Sequence, residues 1–272
     1  MKRASNPGER RGFALHLVVL AAFCLLLPAS SGAGDPLDAL LGRVGKHVEA
    51  YLEQISAMNC TEHVLQERLG GNGKTLEKEE RSFDYLILIA DTGGELNLAE
   101  SRLAPDEDKH TRKARRPLLI SNGFAALFLV FHPYYAPGFQ FHAEGEEIVA
   151  GKALSKIRFQ HIPGTRSPAA LAVRGREYPL DLSGVAWVNQ ETGIIERITA
   201  GLESGMEDVG MRRLRSEIEY KPVTFGGSPQ QYWLPSVATV EVESLHQHWR
   251  NTHRFSDYKR FSVDTKEQIA KQ

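Results

Sequence analysis

The segment Gly184–Ala200, with the sequence GVAWVNQETGIIERITA, contains two short runs of β-branched and aromatic residues separated by a polar turn. The runs cover residues 185–188 and 194–198, and the turn between them covers residues 189–193 and ends in Gly193. Side chains of this kind favour a pleated, half-buried surface, and glycine adopts a positive φ at little cost. The segment therefore predicts a β-hairpin.

Further strands are predicted on both sides of the hairpin, because alternating runs separated by glycine-rich turns fill most of the chain. The predicted strands are residues 61–69, 81–90, 95–103, 139–148, 153–162, 213–223, 232–243 and 245–261. No long helical pattern interrupts the later strands, so antiparallel pairing is expected. Residues 240–243 alternate apolar and acidic side chains, which is typical of a sheet with one dry face and one wet face.

An amphipathic helix is predicted ahead of the first strand. Asp35 suits the N-cap and Pro36 the first helical position, and apolar residues then recur every three or four positions. The apolar face consists of Leu37, Leu40, Leu41, Val44, Val48, Tyr51, Leu52, Ile55 and Met58. Because this face needs an apolar partner, the helix is expected to lie on the sheet, and the predicted fold class is mainly β (α+β).

The first 33 residues have the pattern of a secretory signal peptide. A basic head with paired arginines at positions 10 and 11 precedes the apolar run 13–27, and small residues follow up to Ala33, where cleavage is expected. The apolar run is shorter than the roughly 20 residues of a membrane-spanning helix, which favours cleavage over an uncleaved anchor. The sequence thus predicts a periplasmic or secreted protein, and both the general and the twin-arginine export routes fit.

Residues 34–264 are expected to form one β domain, with a frayed tail over residues 265–272. The formal net charge of −1 is too close to neutral to indicate nucleic acid as a partner. Removal of the signal peptide leaves Cys60 as the one remaining cysteine, so no internal disulfide is expected. Cys60 fits either a small buried apolar residue or an intermolecular disulfide.

A second apolar segment, residues 123–131, predicts a short helix that ends before His132 and Pro133. An aromatic loop follows it. The large apolar residues of this helix and loop include Phe124, Leu127, Phe128, Phe131, Tyr134 and Tyr135. They fit either ordinary core packing or a lid over an apolar cavity.

The sequence contains no motif of a hydrolase, a zinc protease, a dithiol redox site or a phosphate-binding loop. His246 and His248 would share one face of a strand, where Glu243 or Asp257 could join them at a metal. Two ligands from one strand fall short of the four that a structural zinc site needs, so neither a metal nor a cofactor is predicted. The chain is accordingly interpreted as a non-enzyme.

Several short motifs recur in a known group of proteins. They are YL at residues 51–52, NCTE at 59–62, WVNxETGxI at 187–195 (where x is any residue), WLP at 233–235, and Asn251 together with FSDYKRFS at 255–262. In these motifs the chain resembles uncharacterised exported bacterial proteins of the lipoprotein-carrier (LolA/LolB-like) superfold, over about residues 46–263. The resemblance implies a strongly curved antiparallel sheet, an unclosed β-barrel, with helices over its concave apolar face. It also implies binding of acyl chains, a lipoprotein or another amphiphile.

Two functions remain open at this point. The preferred one is an exported, non-catalytic protein that holds a lipid, acyl chain or lipoprotein in an apolar cavity. The alternative is an envelope protein–protein interaction or sensor module whose interior is filled by its own side chains. A cavity of about 300 Å³ or more would favour the first function and a packed interior the second. The residues predicted to contact a ligand are Phe124, Leu127, Phe128, Phe131, Tyr134, Tyr135, Trp187 and Trp233.

Overall fold

One open sheet of ten antiparallel strands dominates the computed structural model of the chain. The helix α1 (Pro36–Ile55) precedes the strands. The strands are β1 (Met58–Leu69), β2 (Thr75–Thr92), β3 (Glu95–Leu103), β4 (Phe139–Val149), β5 (Lys152–His161), β6 (Ala170–Val173), β7 (Arg176–Pro179), β8 (Leu182–Val188), β9 (Ile195–Leu202), β10 (Met211–Thr224), β11 (Gln231–Ser244) and β12 (His248–Arg260). The order across the large sheet is β3-β2-β1-β12-β11-β10-β9-β8-β5-β4, and β6 pairs with β7 in a separate ribbon.

The structure describes residues 35–92, 95–104, 124–173, 176–225 and 229–261. The predicted signal peptide and the predicted C-terminal tail lie outside these ranges. For Phe124 the backbone alone is described.

The predicted hairpin is confirmed as β8 and β9. The Asn189 side chain accepts hydrogen bonds from the backbone N–H groups of Glu191 and Thr192, each at 3.0 Å, and the Gly193 N–H donates to the Asn189 carbonyl at 2.9 Å. Gly193 has a φ of +74°, a conformation that glycine adopts more easily than other residues. The turn also touches α1, because the Arg43 Nε donates to the Gln190 carbonyl at 2.9 Å.

Replacing Gly193 by alanine is expected to lower the free energy of unfolding by about 2–4 kcal/mol. A Cβ at this position would lie 2.7 Å from the Arg43 carbonyl carbon and 2.9 Å from the Val44 nitrogen, so α1 would have to move. Gly73 is a matched control, because its φ is also +74° while a Cβ there would meet nothing within 4 Å. Urea unfolding should give a loss of about 1 kcal/mol for Gly73→Ala. Equal losses for the two variants would contradict the close approach of helix and hairpin.

The sheet curls strongly, which confirms the predicted unclosed barrel. Ten flat strands would be about 43 Å wide at a spacing of about 4.8 Å. The Tyr135 hydroxyl nevertheless donates to the Leu96 carbonyl of edge strand β3 at 2.6 Å, although the opposite edge strand begins only four residues later, at Phe139. Four residues span at most about 14 Å. The two edges therefore approach each other to about half the flat width.

The core lies between the apolar face of this curled sheet and the elements that cover it. The side chains of α1 that face the sheet are buried, namely Leu40, Val44, Val48, Tyr51, Leu52 and Ile55. The helix ends earlier than the apolar pattern predicts, since Met58 is the first residue of β1 and is itself buried in the core. None of the helices in the described ranges combines the length and apolar character that crossing a bilayer requires.

The second covering element is a 3₁₀ helix, Phe124–Phe131, where the sequence predicts a helix without distinguishing its type. Its last five residues, Leu127 to Phe131, are all buried. Because the segment is apolar on every side, its pattern carries no 3.6-residue period that would separate an α-helix from a 3₁₀ helix. The segment covers the same face of the sheet as α1, as predicted.

Candidate functional site

A narrow cleft between α1 and the sheet is the candidate functional site. Its lining residues come from α1, the 3₁₀ segment and strands β9, β10 and β11, and they are His47, Val48, Tyr51, Phe128, Ile195, Tyr220 and Trp233. His47 and Trp233 are half-buried and form the mouth, whereas the other five side chains lie in the core. The cleft thus lies between the surface and the apolar interior, and its lining is mainly aromatic and aliphatic.

Phe128 is the side chain that the 3₁₀ segment contributes to this cleft. Its ring packs edge-on against Tyr51 with the centroids 4.8 Å apart, and Tyr51 packs edge-on against Tyr220 with the centroids 6.2 Å apart. The free space that remains is about 10 Å³, roughly the volume for one water molecule. The interior at this point is therefore filled by the protein's own side chains.

The polar groups of the cleft are neutral at physiological pH. Burial raises the pKa of the Tyr51 hydroxyl well above its usual value, and the nearby Tyr220 hydroxyl adds to this effect. Burial likewise raises the pKa of Tyr220. Burial lowers the pKa of His47 below 6.5. At pH 7 the cleft thus presents two protonated hydroxyls and an uncharged imidazole.

The eight residues predicted to contact a ligand fall into different environments. Leu127, Phe128, Phe131 and Tyr135 are buried in the core beside α1, and Trp233 lies with Phe128 at the cleft. Tyr134 packs edge-on against Tyr135, with the Arg166 guanidinium 4.6 Å from its ring centroid. Of the seven whose side chains the structure describes, two, Phe128 and Trp233, are brought together at one site.

Trp187 lies on the opposite face of the sheet. It alternates along β8 with Ala186 and Val188, which point into the core. Its ring is sandwiched between the Lys156 ammonium at 5.8 Å and the Arg197 guanidinium at 4.4 Å. These cations bury the indole on the polar face, so Trp187 cannot line a cavity under Phe128.

Tyr51 and Tyr220 line the cleft but were not predicted as ligand-binding residues. The helical period identified Tyr51 as part of an apolar face, and Tyr220 occupies a core position in a predicted strand. Their proximity depends on how α1 lies across β10, which no local pattern specifies. A tyrosine rather than a phenylalanine at two core-facing positions was the one available signal, since buried tyrosine hydroxyls usually find a partner.

A buried ionic cluster occupies the β3-β2-β1-β12 part of the sheet. The Arg102 guanidinium binds both carboxylate oxygens of Glu62, at 2.6 and 2.9 Å, and also Glu100 at 3.0 Å. The Nδ1 atom of His253 lies 2.8 Å from Glu62. Burial alone would raise the pKa of Glu62, but the hydrogen bonds from His253 and Arg102 and the Arg102 charge hold the pKa below its usual value. This cluster fixes the register of strands that are distant in sequence.

One group of side chains resembles a nucleophilic triad. The Asp181 carboxylate lies 2.8 Å from His161 Nδ1, and the Thr165 hydroxyl lies 3.3 Å from His161 Nε2. However, the hydroxyl donates to the Ile162 carbonyl at 2.6 Å, and Nε2 faces the Arg166 carbonyl at 3.2 Å. Because the hydroxyl hydrogen already goes to the Ile162 carbonyl, the threonine is not placed to give its proton to His161. The arrangement ties a turn to β5.

The interpretation of His246 and His248 as neighbours on one strand face is wrong. His246 lies in the turn between β11 and β12, and His248 starts β12, where its Nε2 atom lies 2.8 Å from Glu241. In the part of the chain that the structure covers, no group of three or more histidine, cysteine or acidic side chains is arranged to hold a metal ion.

Two wider grooves lie away from the predicted residues. One, of about 680 Å³, lies on the polar face over β8, β9 and β10 and includes Ser183, Thr199 and Arg215. The other, of about 640 Å³, lies where β1, β2 and the β11–β12 turn meet and includes Gln66, Lys78 and Trp249. Both are lined mainly by polar and charged residues, unlike the aromatic cleft.

No family model matches the chain, and no curated protein matches it in sequence. Among solved structures, the chain is similar to a DUF1329 family protein from Desulfovibrio piger, with 15% identity, a TM-score of 0.42 and coverage of 85% of this chain and 95% of that one. It is also similar to a putative outer membrane lipoprotein-sorting protein domain from Vibrio parahaemolyticus, with 9% identity, a TM-score of 0.45 and coverage of 84% and 94%.

A third similar structure is a LolA superfamily protein from Nitrosomonas europaea, with 10% identity, a TM-score of 0.38 and coverage of 83% of this chain and 94% of that one. The printed names of the second and third structures are of the kind of protein that the sequence resembles. Identities of at most 15% and TM-scores below 0.5 carry no conclusion about the ligand or the activity of this chain.

Proposed function

We propose that this protein is an exported, non-catalytic binding protein that holds an acyl chain of a lipid or lipoprotein in its apolar interior. Export is inferred from the signal-peptide pattern of residues 1–33. The observation that carries the binding function is the aromatic cleft, which is lined by the half-buried His47 and Trp233 and by five core side chains, among them Phe128 of the 3₁₀ segment.

The walls of the cleft suit an apolar chain. Ligand pockets for small molecules are lined mainly by hydrophobic and aromatic side chains, with few polar groups that fix orientation. Trp233 at the mouth and Tyr220, Tyr51 and Phe128 farther in provide such walls. An acyl chain that follows them reaches the core as soon as Phe128 moves.

The segment that carries Phe128 is suited to such a movement. In the described ranges, no backbone hydrogen bond joins residues 124–131 to a strand, so side-chain packing holds the segment on the sheet. The hydrogen bonds of a 3₁₀ helix also have poorer geometry than those of an α-helix. After the segment, the hydrogen bond from Tyr135 to Leu96 provides a fixed point about which it can swing. The segment thus acts as a lid that covers the interior when no ligand is bound.

An envelope protein–protein interaction module is the second candidate. The observation that favours it is the free volume of about 10 Å³ beside Phe128, far below that of a formed ligand cavity. In this alternative Phe128 is a permanent part of the core, and the protein binds its partner through the outer surface of the sheet rather than through its interior.

Native mass spectrometry with lipid extraction separates the two candidates. We expect the full chain, expressed with residues 1–33 and recovered from a periplasmic extract, to begin after Ala33 and to carry acyl-chain species. Trp233→Ala at the mouth should reduce this bound lipid several-fold, whereas Trp187→Ala on the opposite face should leave it unchanged. A bare protein mass, together with no rise in melting temperature on addition of methyl laurate, would rule out the acyl-chain carrier and favour the interaction module.

A further inference from the structure

The cleft contains two buried hydroxyls without a hydrogen-bond partner among the described residues. They belong to Tyr51 in α1 and Tyr220 in β10, which are 5% and 6% exposed. Both residues line the cleft, and their rings lie 6.2 Å apart. Two hydroxyl-bearing side chains from different elements therefore line the same small space.

Buried hydroxyls without a partner lower the stability of the folded protein. A buried polar group without a partner loses its hydrogen bonds to water and gains none in return, so phenylalanine would be more stable at each position. A partner that enters the cleft recovers this loss. At this place a ligand that carries a hydrogen-bond acceptor should therefore bind more tightly than an apolar ligand of the same size.

The charge of the cleft selects the kind of acceptor. The remaining lining residues are apolar or aromatic apart from His47, whose imidazole is neutral at pH 7 because burial lowers its pKa. The nearest cation at the mouth is the Lys152 ammonium, which lies 5.1 Å from the Trp233 ring centroid and is paired with Glu196 at 3.6 Å. A carboxylate beside the two tyrosines would thus lose its hydration without meeting a cation among the lining residues, which is unfavourable. A neutral carbonyl oxygen accepts two hydrogen bonds at no such cost.

We propose that Tyr51 and Tyr220 bind the carbonyl oxygen of a neutral acyl ester or acyl amide, the linkage found in glycerolipids and acylated lipoproteins. The carbonyl lies between the two hydroxyls, and the acyl chain continues past the displaced Phe128 into the apolar core. This inference rests on the proposed function, and it adds that the linkage, not only the hydrocarbon, is recognised. In the free protein the two unpartnered hydroxyls lower the stability of the fold, and in the complex their hydrogen bonds to the ligand offset this loss.

Three probes of similar length test this inference on the full chain at pH 8, with displacement of an apolar fluorescent dye as the readout. The probes are methyl laurate, laurate and tetradecane, which carry a neutral carbonyl, a carboxylate and no acceptor. We expect wild-type protein to bind methyl laurate at least tenfold more tightly than either of the others. The double variant Tyr51→Phe/Tyr220→Phe should lose this tenfold preference, bind tetradecane as the wild type does and melt at a higher temperature.

Tyr85→Phe is the matched control. The Tyr85 hydroxyl is also buried without a hydrogen-bond partner among the described residues, but it lies in β2 and does not line the cleft. We expect this variant to keep the tenfold preference for the ester, so a change in stability alone does not mimic the result.

The outcomes distinguish the inference from the proposed function. Equal binding of ester and alkane, with no effect of the double variant, would overturn the carbonyl site and leave the acyl-chain carrier standing. Laurate binding as tightly as its methyl ester would overturn the choice of a neutral acceptor, and loss of tetradecane binding in the double variant would show that the hydroxyls do not act through a carbonyl. If no probe displaces the dye from any variant, both the carbonyl site and the proposed function are wrong.

Discussion

Replacing Arg102 by methionine is expected to lower the free energy of unfolding by about 3–5 kcal/mol at pH 7. Its guanidinium joins two buried carboxylates, since it binds Glu62 through two hydrogen bonds and Glu100 through one. Glu62 has no exposed side-chain surface, so its charge cannot be solvated when the arginine is removed. Because methionine keeps much of the side-chain volume, the loss of stability comes from the removed charge rather than from a cavity.

The loss should depend on pH. In the wild-type protein the pKa of Glu62 is lowered, so its ionised form stabilises the fold above its usual pKa, and this stabilisation is lost as the pH falls through the folded-state pKa. Without Arg102 the pKa of Glu62 rises, because burial then outweighs the hydrogen bonds that remain. The gap in stability between wild type and variant should consequently narrow from pH 7 to pH 4.

Two controls accompany urea unfolding across this pH range. Glu62→Gln in the Arg102→Met background removes the buried charge and should recover part of the lost stability. Arg68→Met removes an ion pair with Glu77 of similar length, 2.8 Å, whose two side chains are more than a third exposed, and it should change stability little. If Arg102→Met proved as mild as Arg68→Met, or its effect did not vary with pH, the cluster would not be a buried ionic site.

The sequence predicted most of the sheet because its strands follow local rules. The hairpin from β8 to β9 is specified by β-branched runs on both sides of a turn that ends in Gly193, and β3 has the predicted bounds, residues 95–103. The short ribbon of β6 and β7 was not predicted. Its strands have four residues each and one of them ends in Pro179, too few for an alternating pattern to stand out.

The ionic cluster could not be predicted, because its members come together only when distant strands pair. Glu62 and His253 are far apart in sequence, and they approach through the pairing of β1 with β12. Charged residues at alternate positions of a strand were predicted to lie on the solvent-facing side of the sheet, and in most strands they do. In β1 the rule fails, because Glu62 and Gln66 share the core-facing positions with Cys60 and Val64.

The two tryptophans show why the residues of the candidate site could be predicted only in part from the sequence. Both are large aromatic residues in predicted strands, and alternation places each on one of two faces without stating which face is dry. Trp233 reaches the cleft, whereas Trp187 is covered by Lys156 and Arg197 on the polar face. An aromatic residue flanked by cations on the neighbouring strands can thus be buried outside the core.

Phe128→Ala is expected to lower the free energy of unfolding by about 3–5 kcal/mol and at the same time to raise the affinity for methyl laurate at least tenfold. The stability loss follows from the 3% exposure of the ring and its contact with Tyr51. The gain in affinity follows because a ligand of the wild-type protein must first displace this ring, and the fraction of molecules with the lid open reduces the apparent affinity. Urea unfolding and dye displacement measure the two effects.

Phe131→Ala is the control. It tests whether the gain in affinity comes from removing the lid side chain or from making a cavity anywhere in the core. Phe131 lies in the same 3₁₀ segment with 2% exposure, but its ring packs against Phe141 and Phe159 and does not line the cleft. It should lose similar stability, about 3–5 kcal/mol, with no more than a small gain in methyl laurate binding. Because an engineered apolar cavity binds small hydrocarbons wherever it is made, equal gains for the two variants would mean that Phe128 is ordinary core. A gain confined to Phe128→Ala would instead identify its side chain as the barrier between the cleft and the apolar interior.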